Sequence, residues 1–209
     1  DESSLGLKLE QTSNDSYLKT YKVKSPIINN TNLLSSYLKL SAYREDLSIN
    51  ADFRVYENLG VENKSDRYEF IYPNYEILKQ FNNNSDVPGT FSFNSSGYMK
   101  NYETNIYEKV IINDFIFNSD SKFSENGFKN NYNLLIKNTN TDSKNSTKYK
   151  KDIDHDLLSI IELNSSYPLI KKNNNFDNIL KPKLSFKFSP NNTKDLKNED
   201  RRIDINNIF

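Results

Sequence analysis

Strict alternation of apolar and polar residues at 47–56 constrains the fold of this chain more than any other feature. Apolar residues occupy the odd positions, and polar or charged residues occupy the even positions as far as 54. Successive side chains of a β-strand point to opposite sides of the sheet, so this segment predicts a strand with one apolar and one polar side. The apolar set is Leu47, Ile49, Ala51, Phe53 and Val55, and the polar set is Ser48, Asn50, Asp52 and Arg54.

The same alternation returns at residues 180–189. One side carries Leu184, Phe186 and Phe188, and the other carries Lys181, Lys183, Ser185 and Lys187. Strands of about ten residues with this pattern, separated by polar loops, are typical of outer-membrane β-barrels, which have lipid outside and water inside. The apolar residues of both segments are therefore predicted to face lipid, and the polar residues to face the lumen.

Composition favours an all-β fold. Only 35% of the residues are hydrophobic and Asn occurs 33 times, a balance that by itself would suggest disorder. However, the chain contains 14 Tyr and 13 Phe, whereas Ala occurs only at Ala42 and Ala51. No long window has a 3.6-residue apolar period, and no apolar run approaches the ~18 residues of a membrane helix. We therefore expect an antiparallel up-and-down sheet, part of an outer-membrane barrel.

Charge and residue content argue against several classes of function. The 28 basic and 28 acidic residues balance, so no net field attracts nucleic acid. Cysteine is absent, which excludes disulfides and thiolate metal sites. The five scattered glycines form neither a phosphate-binding loop nor a dinucleotide fingerprint, and no G-x-S-x-G sequence occurs. We expect no catalytic residue, no metal, no cofactor and no enzyme activity.

Candidate strands recur about every twenty residues. They are 3–11, 17–25, 34–42, 47–56, 67–81, 90–102, 105–117, 128–138, 155–167 and 180–189, with a last one opening at Arg202. A tight hairpin is predicted at 44–46, and Pro73 predicts a bulge, an edge or a strand end. Long polar loops are predicted at 57–66, 118–127, 139–154, 171–178 and 190–201. Short turns alternating with long loops are typical of membrane barrels, although a soluble sandwich also alternates.

Two polar clusters have both a chemical and a structural interpretation. His155, the only histidine, lies in the sequence Asp152-Ile153-Asp154-His155-Asp156, which has the ligand types of a cation site but not EF-hand spacing. The simpler interpretation is the polar end of a loop that enters a strand. Similarly, Lys181, Lys183 and Lys187 with Arg201 and Arg202 are able to meet phosphate groups, but a water-filled lumen also tolerates such charge.

Several short motifs resemble the LPS-assembly protein LptD family, also called organic solvent tolerance protein (OstA/Imp). Residues 15–21, Asp-Ser-Tyr-Leu-Lys-Thr-Tyr, resemble the family's Asp-x-x-Tyr-Leu-Arg-x-Tyr segment. Residues 66–73 resemble its Arg-Tyr-x-x-x-x-Pro strand, residues 167–169 its Tyr-Pro-Leu, and residues 181–183 its Lys-Pro-x strand start. Ser189-Pro190 followed by residues 201–209 resembles its Ser-Pro…Arg-Arg-x-Asp-x-x-Asn-x-Phe passage. The motifs keep the family's order from about residue 15 to 209.

The resemblance implies that residues 1–209 belong to the C-terminal transmembrane barrel of such a protein, without its periplasmic jelly-roll domain. The implied function is insertion of lipopolysaccharide into the outer leaflet of the cell outer membrane. The implied partners are lipopolysaccharide, outer-membrane lipid, an LptE-like plug lipoprotein in the lumen and, through the jelly-roll domain, an LptA-like periplasmic bridge. The family's gate residues have no counterpart in this segment.

Two alternatives remain open at this point. A porin or receptor barrel would lie in the outer membrane but would not transport lipopolysaccharide. A soluble β-rich carbohydrate-binding or adhesin domain would neither lie in the outer membrane nor transport lipopolysaccharide. Flanking sequence with a signal and a jelly-roll repeat would favour the LptD-like protein, whereas a closed domain boundary would favour the soluble domain.

Overall fold

A computed structural model describes residues 1–22, 25–28, 30–63, 66–81, 88–103, 105–172 and 176–190. Within these residues the chain forms one short helix and twelve strands. The strands are β1 (Glu2–Lys8), β2 (Leu33–Arg44), β3 (Leu47–Asn58), β4 (Tyr68–Phe81), β5 (Gly89–Tyr102), β6 (Ile106–Ser119), β7 (Lys122–Phe123), β8 (Lys129–Lys144), β9 (Asp154–Ser166), β10 (Leu169–Lys172), β11 (Asp177–Leu180) and β12 (Lys183–Phe188). The helix is α1 (Tyr17–Tyr21).

Ten of these strands form one sheet in the order β1-β2-β3-β4-β5-β6-β8-β9-β12, and β7 pairs with β8. Nearly every strand lies beside its neighbour in the chain, and the registers described for β1 to β4 and for β9 with β12 are antiparallel. The predicted all-β, antiparallel up-and-down sheet is confirmed. Strands β10 and β11 form a separate hairpin.

The predicted hairpin at 44–46 is confirmed. Strand β2 ends at Arg44 and β3 begins at Leu47, so Glu45 and Asp46 form a two-residue turn. The Lys79 side chain bonds to the Asp46 carboxylate, and the Gln80 N–H donates to the Asp46 carbonyl over 2.8 Å. These contacts tie the turn to the end of β4.

Pro73 lies at a bulge, one of the three positions that its chemistry predicted. Between β3 and β4 the pairing passes from Asp52↔Asn74 to Arg54↔Ile71, so that Phe53 is opposite two residues of β4. Proline provides no N–H for the ladder, and an extra residue in one strand reverses the sides of the residues beyond it. As a consequence Tyr75 lies on the same side of β4 as Phe70, although the two are an odd number of residues apart.

The predicted strand at 17–25 is wrong: Tyr17–Tyr21 is helical. The Asn14 side chain accepts hydrogen bonds of 2.8 Å from the N–H and the hydroxyl of Ser16, which turns the chain before the helix. The rings of Tyr17 and Tyr21, one helical turn apart, have centroids 5.0 Å apart. Tertiary packing of Leu18 against Leu34 and Leu59 overrides the local strand preference.

Other boundaries also differ from the prediction. Strand β8 continues to Lys144, so the first part of the loop predicted at 139–154 is strand. Residues 180–189 do not form one strand, because Leu180 ends β11 and the next strand begins at Lys183. The β7 strand lies within the loop predicted at 118–127, and the β10–β11 hairpin includes both ends of the loop predicted at 171–178 and extends beyond it on each side. The strand predicted to open at Arg202 and nearly all of the 190–201 loop are outside the described residues.

The chain divides into two compact units. The first comprises Asp1–Gln80, Phe93–Asp114 and Asn138–Asp156, and the second comprises Phe81–Ser92, Phe115–Lys137 and the chain from Leu157. The first unit has a small core of Leu18, Leu34 and Leu59, with Ile28 against it. In the second unit Phe117 is buried. The centroid of its ring lies 4.4 Å from the ring centroid of Phe91 and 5.6 Å from that of Tyr132.

Among the described residues, no helix combines the length and apolar character needed to cross a membrane.

Candidate functional site

In the first unit, the apolar residues of β3 share one side of the sheet with those of β2 and β4. Directly opposed residues of antiparallel strands point to the same side. Phe53 pairs with Leu38, Ala51 with Leu40, and Val55 with Phe70. The five residues predicted to face lipid from this strand, Leu47, Ile49, Ala51, Phe53 and Val55, therefore lie together. This side is open: Phe53 is 44% exposed, as is Leu40.

The opposite side of β3 is polar and hydrogen-bonded. It carries Ser48, Asn50, Asp52 and Arg54, the four residues predicted to face the lumen. Tyr43 Oη donates to Asn50 Oδ1 over 2.7 Å, and Asn74 Nδ2 donates to Asp52 Oδ1 over 2.8 Å. Arg54 Nη1 donates to Tyr56 Oη over 2.9 Å. The first two of these bonds join β3 to its neighbouring strands, and the third runs along β3 itself.

In the second unit, β9 and β12 repeat this division. Phe186 pairs with Leu163, Phe188 with Ile161, and Leu184 with Ser165. Leu184 is 73% exposed and Phe186 is 61% exposed. Leu184, Phe186 and Phe188 thus share one open apolar side, as predicted from their spacing.

The lysines of this region line a cavity of about 410 Å³ on the polar side of β12. Lys129, Lys181, Lys183 and Lys187 contribute to its wall, together with a single carboxylate, Glu162. Lys187 Nζ is 3.9 Å from Glu162 Oε2, and Ser185 Oγ donates to Glu162 Oε1 over 3.2 Å. Lys181 precedes the strand but reaches the same cavity. The cavity is cationic, and such a wall favours anionic groups.

A buried carboxylate lies where β5, β6 and the segment after β8 meet. Glu108 is 4% exposed, and it accepts hydrogen bonds from Tyr102 Oη over 3.0 Å and Ser146 Oγ over 2.6 Å. Tyr98 Oη lies 3.5 Å from its second oxygen and 3.1 Å from Tyr149 Oη. Charge-assisted bonds to a desolvated carboxylate are stronger than bonds between neutral groups. Glu108 therefore fixes the 145–150 segment against the sheet.

His155 lies at the start of β9, where its Nδ1 is 2.5 Å from Asn140 Oδ1. The amide oxygen can only accept, so Nδ1 carries the proton of this bond. No group of three or more acidic, His or Cys side chains in the described part of the chain is placed to bind a metal ion.

No family model matches this chain, and no curated protein matches it.

Four of the five motifs that carry the resemblance to the LptD family contact one another in pairs, and most of the fifth lies outside the described residues. Arg67, from the 66–73 motif, binds the Asp15 carboxylate of the 15–21 motif with two hydrogen bonds, of 2.9 and 2.5 Å. Arg67 Nη2 also lies 2.8 Å from Glu57 Oε1. In the second unit, the Tyr167 N–H of the Tyr-Pro-Leu motif donates to the carbonyl of Pro182 in the Lys-Pro-x motif over 3.0 Å. Segments far apart in the chain thus form structural pairs.

Sequence reasoning missed the Glu108 cluster. Glu108 is one of many acidic residues, and its neighbours in the sequence, Tyr107 and Lys109, give no sign of burial. Its alternation with Val110 on β6, both of them buried, is the only local signal. Its partners come from two other segments, so their convergence depends on the sheet register.

Proposed function

We propose that this chain forms part of an outer-membrane β-barrel that inserts lipopolysaccharide into the outer leaflet. In this arrangement the apolar sides of β3 and β12 contact lipid, and the polar sides, with Arg54 and Lys187, line the lumen. The protein acts as a conduit and not as an enzyme, and it is located in the outer membrane.

The observation that carries the membrane part of this proposal is the open apolar side beside a hydrogen-bonded polar side. Leu184, Phe186 and Leu163, which is 51% exposed, leave large apolar side chains uncovered. Water disfavours a contiguous apolar surface of this kind, whereas lipid accepts it. The strands are also long: β3 has 12 residues and β4, β5 and β6 have 14 each, more than the ~9–11 that a tilted strand needs to span a bilayer.

The lipopolysaccharide part rests on the motif resemblance. Four of its five motifs lie together in pairs, through Arg67 with Asp15 and Tyr167 with Pro182. An LptE-like lipoprotein would occupy the lumen side. An LptA-like bridge would bind through a jelly-roll domain beyond residues 1–209.

Depletion of the protein in its host tests the proposal. We expect newly made lipopolysaccharide to stop reaching the cell surface and to accumulate on the inner side of the outer membrane, while an unrelated barrel still assembles. Re-expression of the wild-type chain should restore surface delivery. Normal surface lipopolysaccharide with reduced uptake of small solutes would instead identify a porin. Recovery of the wild-type protein in the soluble fraction would identify a soluble carbohydrate-binding or adhesin domain.

A further inference from the structure

Three lysines of the second unit meet around Ser166, the last residue of β9. Lys183 of β12 is paired directly with Ser166, and Ser166 Oγ donates to the carbonyl of Lys129 in β8 over 3.5 Å. Lys181, two residues before Lys183, lines the same cavity of about 410 Å³ as the other two. We call Lys129, Lys181 and Lys183 the lysine cluster.

The lysine cluster forms no ion pair with any residue that the structure describes. The described wall of the cavity has one carboxylate, Glu162, which lies 3.9 Å from Lys187 Nζ and accepts the hydroxyl of Ser185. Glu162 is four residues from Ser166 on the same strand, which is about 13 Å along the strand. Unpaired positive charge is therefore concentrated at one end of the cavity, away from the acidic group.

One residue, Tyr167, fixes the backbone beside all three lysines. Its N–H donates to the carbonyl of Pro182, which separates the two lysines of the 181–183 segment, over 3.0 Å. The centroid of its ring lies 4.8 Å from that of Phe128, which precedes Lys129. The positions of the three lysines are thus set by the fold, and a ligand that binds them does not have to order the backbone first.

The chemistry of this end of the cavity favours a phosphate group. Like charges held together repel, and a bound anion relieves that repulsion. A phosphate monoester carries about −1.5 to −2 charges near neutral pH, more than a carboxylate, and lysine binds phosphate as a point charge. The described wall contains no arginine, the residue best suited to two-point binding of a carboxylate. The side chains of Asn164 and Ser166 add neutral hydrogen-bond donors.

We propose that the lysine cluster is a binding site for a phosphate monoester. The three ammonium groups bind the phosphate oxygens, and the remainder of the ligand extends along the polar cavity wall toward Glu162. The phosphate group is carried either by a soluble compound or by a lipid headgroup. This inference does not rest on the proposed function, because the cavity lies within the second unit and needs neither a membrane nor lipopolysaccharide.

Calorimetric titration of the purified full-length protein with inorganic phosphate, at constant ionic strength set with chloride, tests the site. The wild type should bind, and K129Q/K183Q should bind at least about tenfold more weakly because it loses two charge-assisted bonds. The matched control is K171Q/K172Q, which removes two exposed lysines of β10 that are not in the cavity wall. This control should bind like the wild type. Equal affinity of the two double variants would overturn the proposal.

A single variant covers the case in which K129Q/K183Q does not fold. Lys181 is exposed and lies outside the strands, so K181Q should keep the thermal unfolding temperature of the wild type. We expect its affinity for inorganic phosphate to fall several-fold. Wild-type affinity in K181Q, with the double variant unfolded, would decide against the lysine cluster.

A second arm distinguishes the two sources of phosphate. Thermal unfolding is compared in phosphatidylcholine vesicles that contain phosphatidic acid, a phosphate monoester, or phosphatidylglycerol, a diester, at equal surface charge. Stabilisation by phosphatidic acid that K129Q/K183Q loses would support a lipid headgroup as the source. Binding of inorganic phosphate with equal stability in both kinds of vesicle would support a soluble ligand. Absence of both effects in the wild type would overturn the site.

Discussion

Ser146 Oγ donates a 2.6 Å hydrogen bond to Glu108, a carboxylate that is 4% exposed and that also accepts the hydroxyl of Tyr102. The two residues are 38 apart in the chain, and their bond folds the segment after β8 onto the sheet. Two further bonds hold the same segment: Ser143 Oγ donates to the Lys150 carbonyl over 2.7 Å, and Asn145 Nδ2 donates to the Asn105 carbonyl over 3.1 Å. The connection between β8 and β9 is therefore anchored and not a free loop.

Replacing Glu108 with Ala should release this segment. The hydroxyls of Ser146 and Tyr102 would lose their acceptor, which costs about 1–3 kcal/mol for each buried polar group left unsatisfied. We expect faster amide exchange and faster proteolysis at 145–150, with the rest of the sheet protected. Glu62→Ala, at an exposed position, is the matched control and should change neither rate. Unchanged protection in Glu108→Ala would contradict the anchoring role.

Arginine at position 53 should impair barrel assembly more than arginine at position 50. Phe53 lies on the side proposed to face lipid, and a basic residue at the bilayer midplane of a barrel costs about 2–4 kcal/mol. Asn50 lies on the opposite side beside Tyr43, where a lumen would accept the charge. Heat-modifiable migration of the folded barrel in detergent gels measures assembly of Phe53→Arg and Asn50→Arg. Equal tolerance of both would refute the assignment of sides.

Alanine at Gly97 should destabilise the sheet. A Cβ at this position would lie 2.5 Å from the Val110 carbonyl oxygen and 3.0 Å from the Tyr75 ring, so backbone would have to move. Overpacking of this kind typically costs about 1–3 kcal/mol. Gly6 on β1 is the matched control, because the nearest atom to its added Cβ is 3.8 Å away. The denaturant midpoint of Gly97→Ala should be lower than that of Gly6→Ala. Equal midpoints of the two variants would be evidence against this close approach.

The ion pair between Arg67 and Asp15 should couple the segment before helix α1 to the start of β4. The pair is bidentate, and the Arg67 side chain is only 10% exposed, but Asp15 is 54% exposed, so we expect a coupling of about 1 kcal/mol or less. A double-mutant cycle with Asp15→Asn and Arg67→Met measures it. Arg67→Lys should keep the charge and lose the two-point geometry. If the changes in the free energy of unfolding of the two single variants add up to that of the double variant, the contact does not contribute to stability.

The strand boundaries were predicted best where the alternation of apolar and polar residues was strict. Strand β3 was predicted to begin at Leu47, and the structure begins it there, because one apolar side and a two-residue turn together determine the register. The C-terminal end of β8 was missed for the opposite reason. Its Asn and Asp residues have low strand preference, yet Asn138 and Asn140 bond across the sheet. Cross-strand hydrogen bonds, which no local pattern reveals, extend this strand.

The division of the strands into an apolar and a polar side was likewise predictable from the sequence. The hydrogen bonds that link polar side chains of different strands were not. Spacing alone placed Phe186 and Lys187 on opposite sides of the sheet. Spacing did not reveal that hydrogen bonds through Asn138 and Asn140 connect Asn113 to His155, because the alignment of these residues depends on the offset between strands. The Tyr17 helix was missed because its stabilising contact, Leu18 with Leu34, joins residues far apart in the chain.

Acid should weaken the β2–β3 hairpin through Asp46. The hydrogen bond from Lys79 lowers the pKa of Asp46 below its usual value of 3.8, although the carboxyl is exposed. Since the folded pKa is the lower one, the contribution to stability is complete above 3.8 and is lost as the pH falls through the folded value. Asp46→Asn should therefore be less stable than the wild type near neutral pH and equally stable in strong acid. Lys79→Met should reproduce this pH dependence, since it removes the same bond, and the double variant should add nothing further. A stability deficit of Asp46→Asn that persists unchanged in strong acid would show that the effect does not arise from this ion pair.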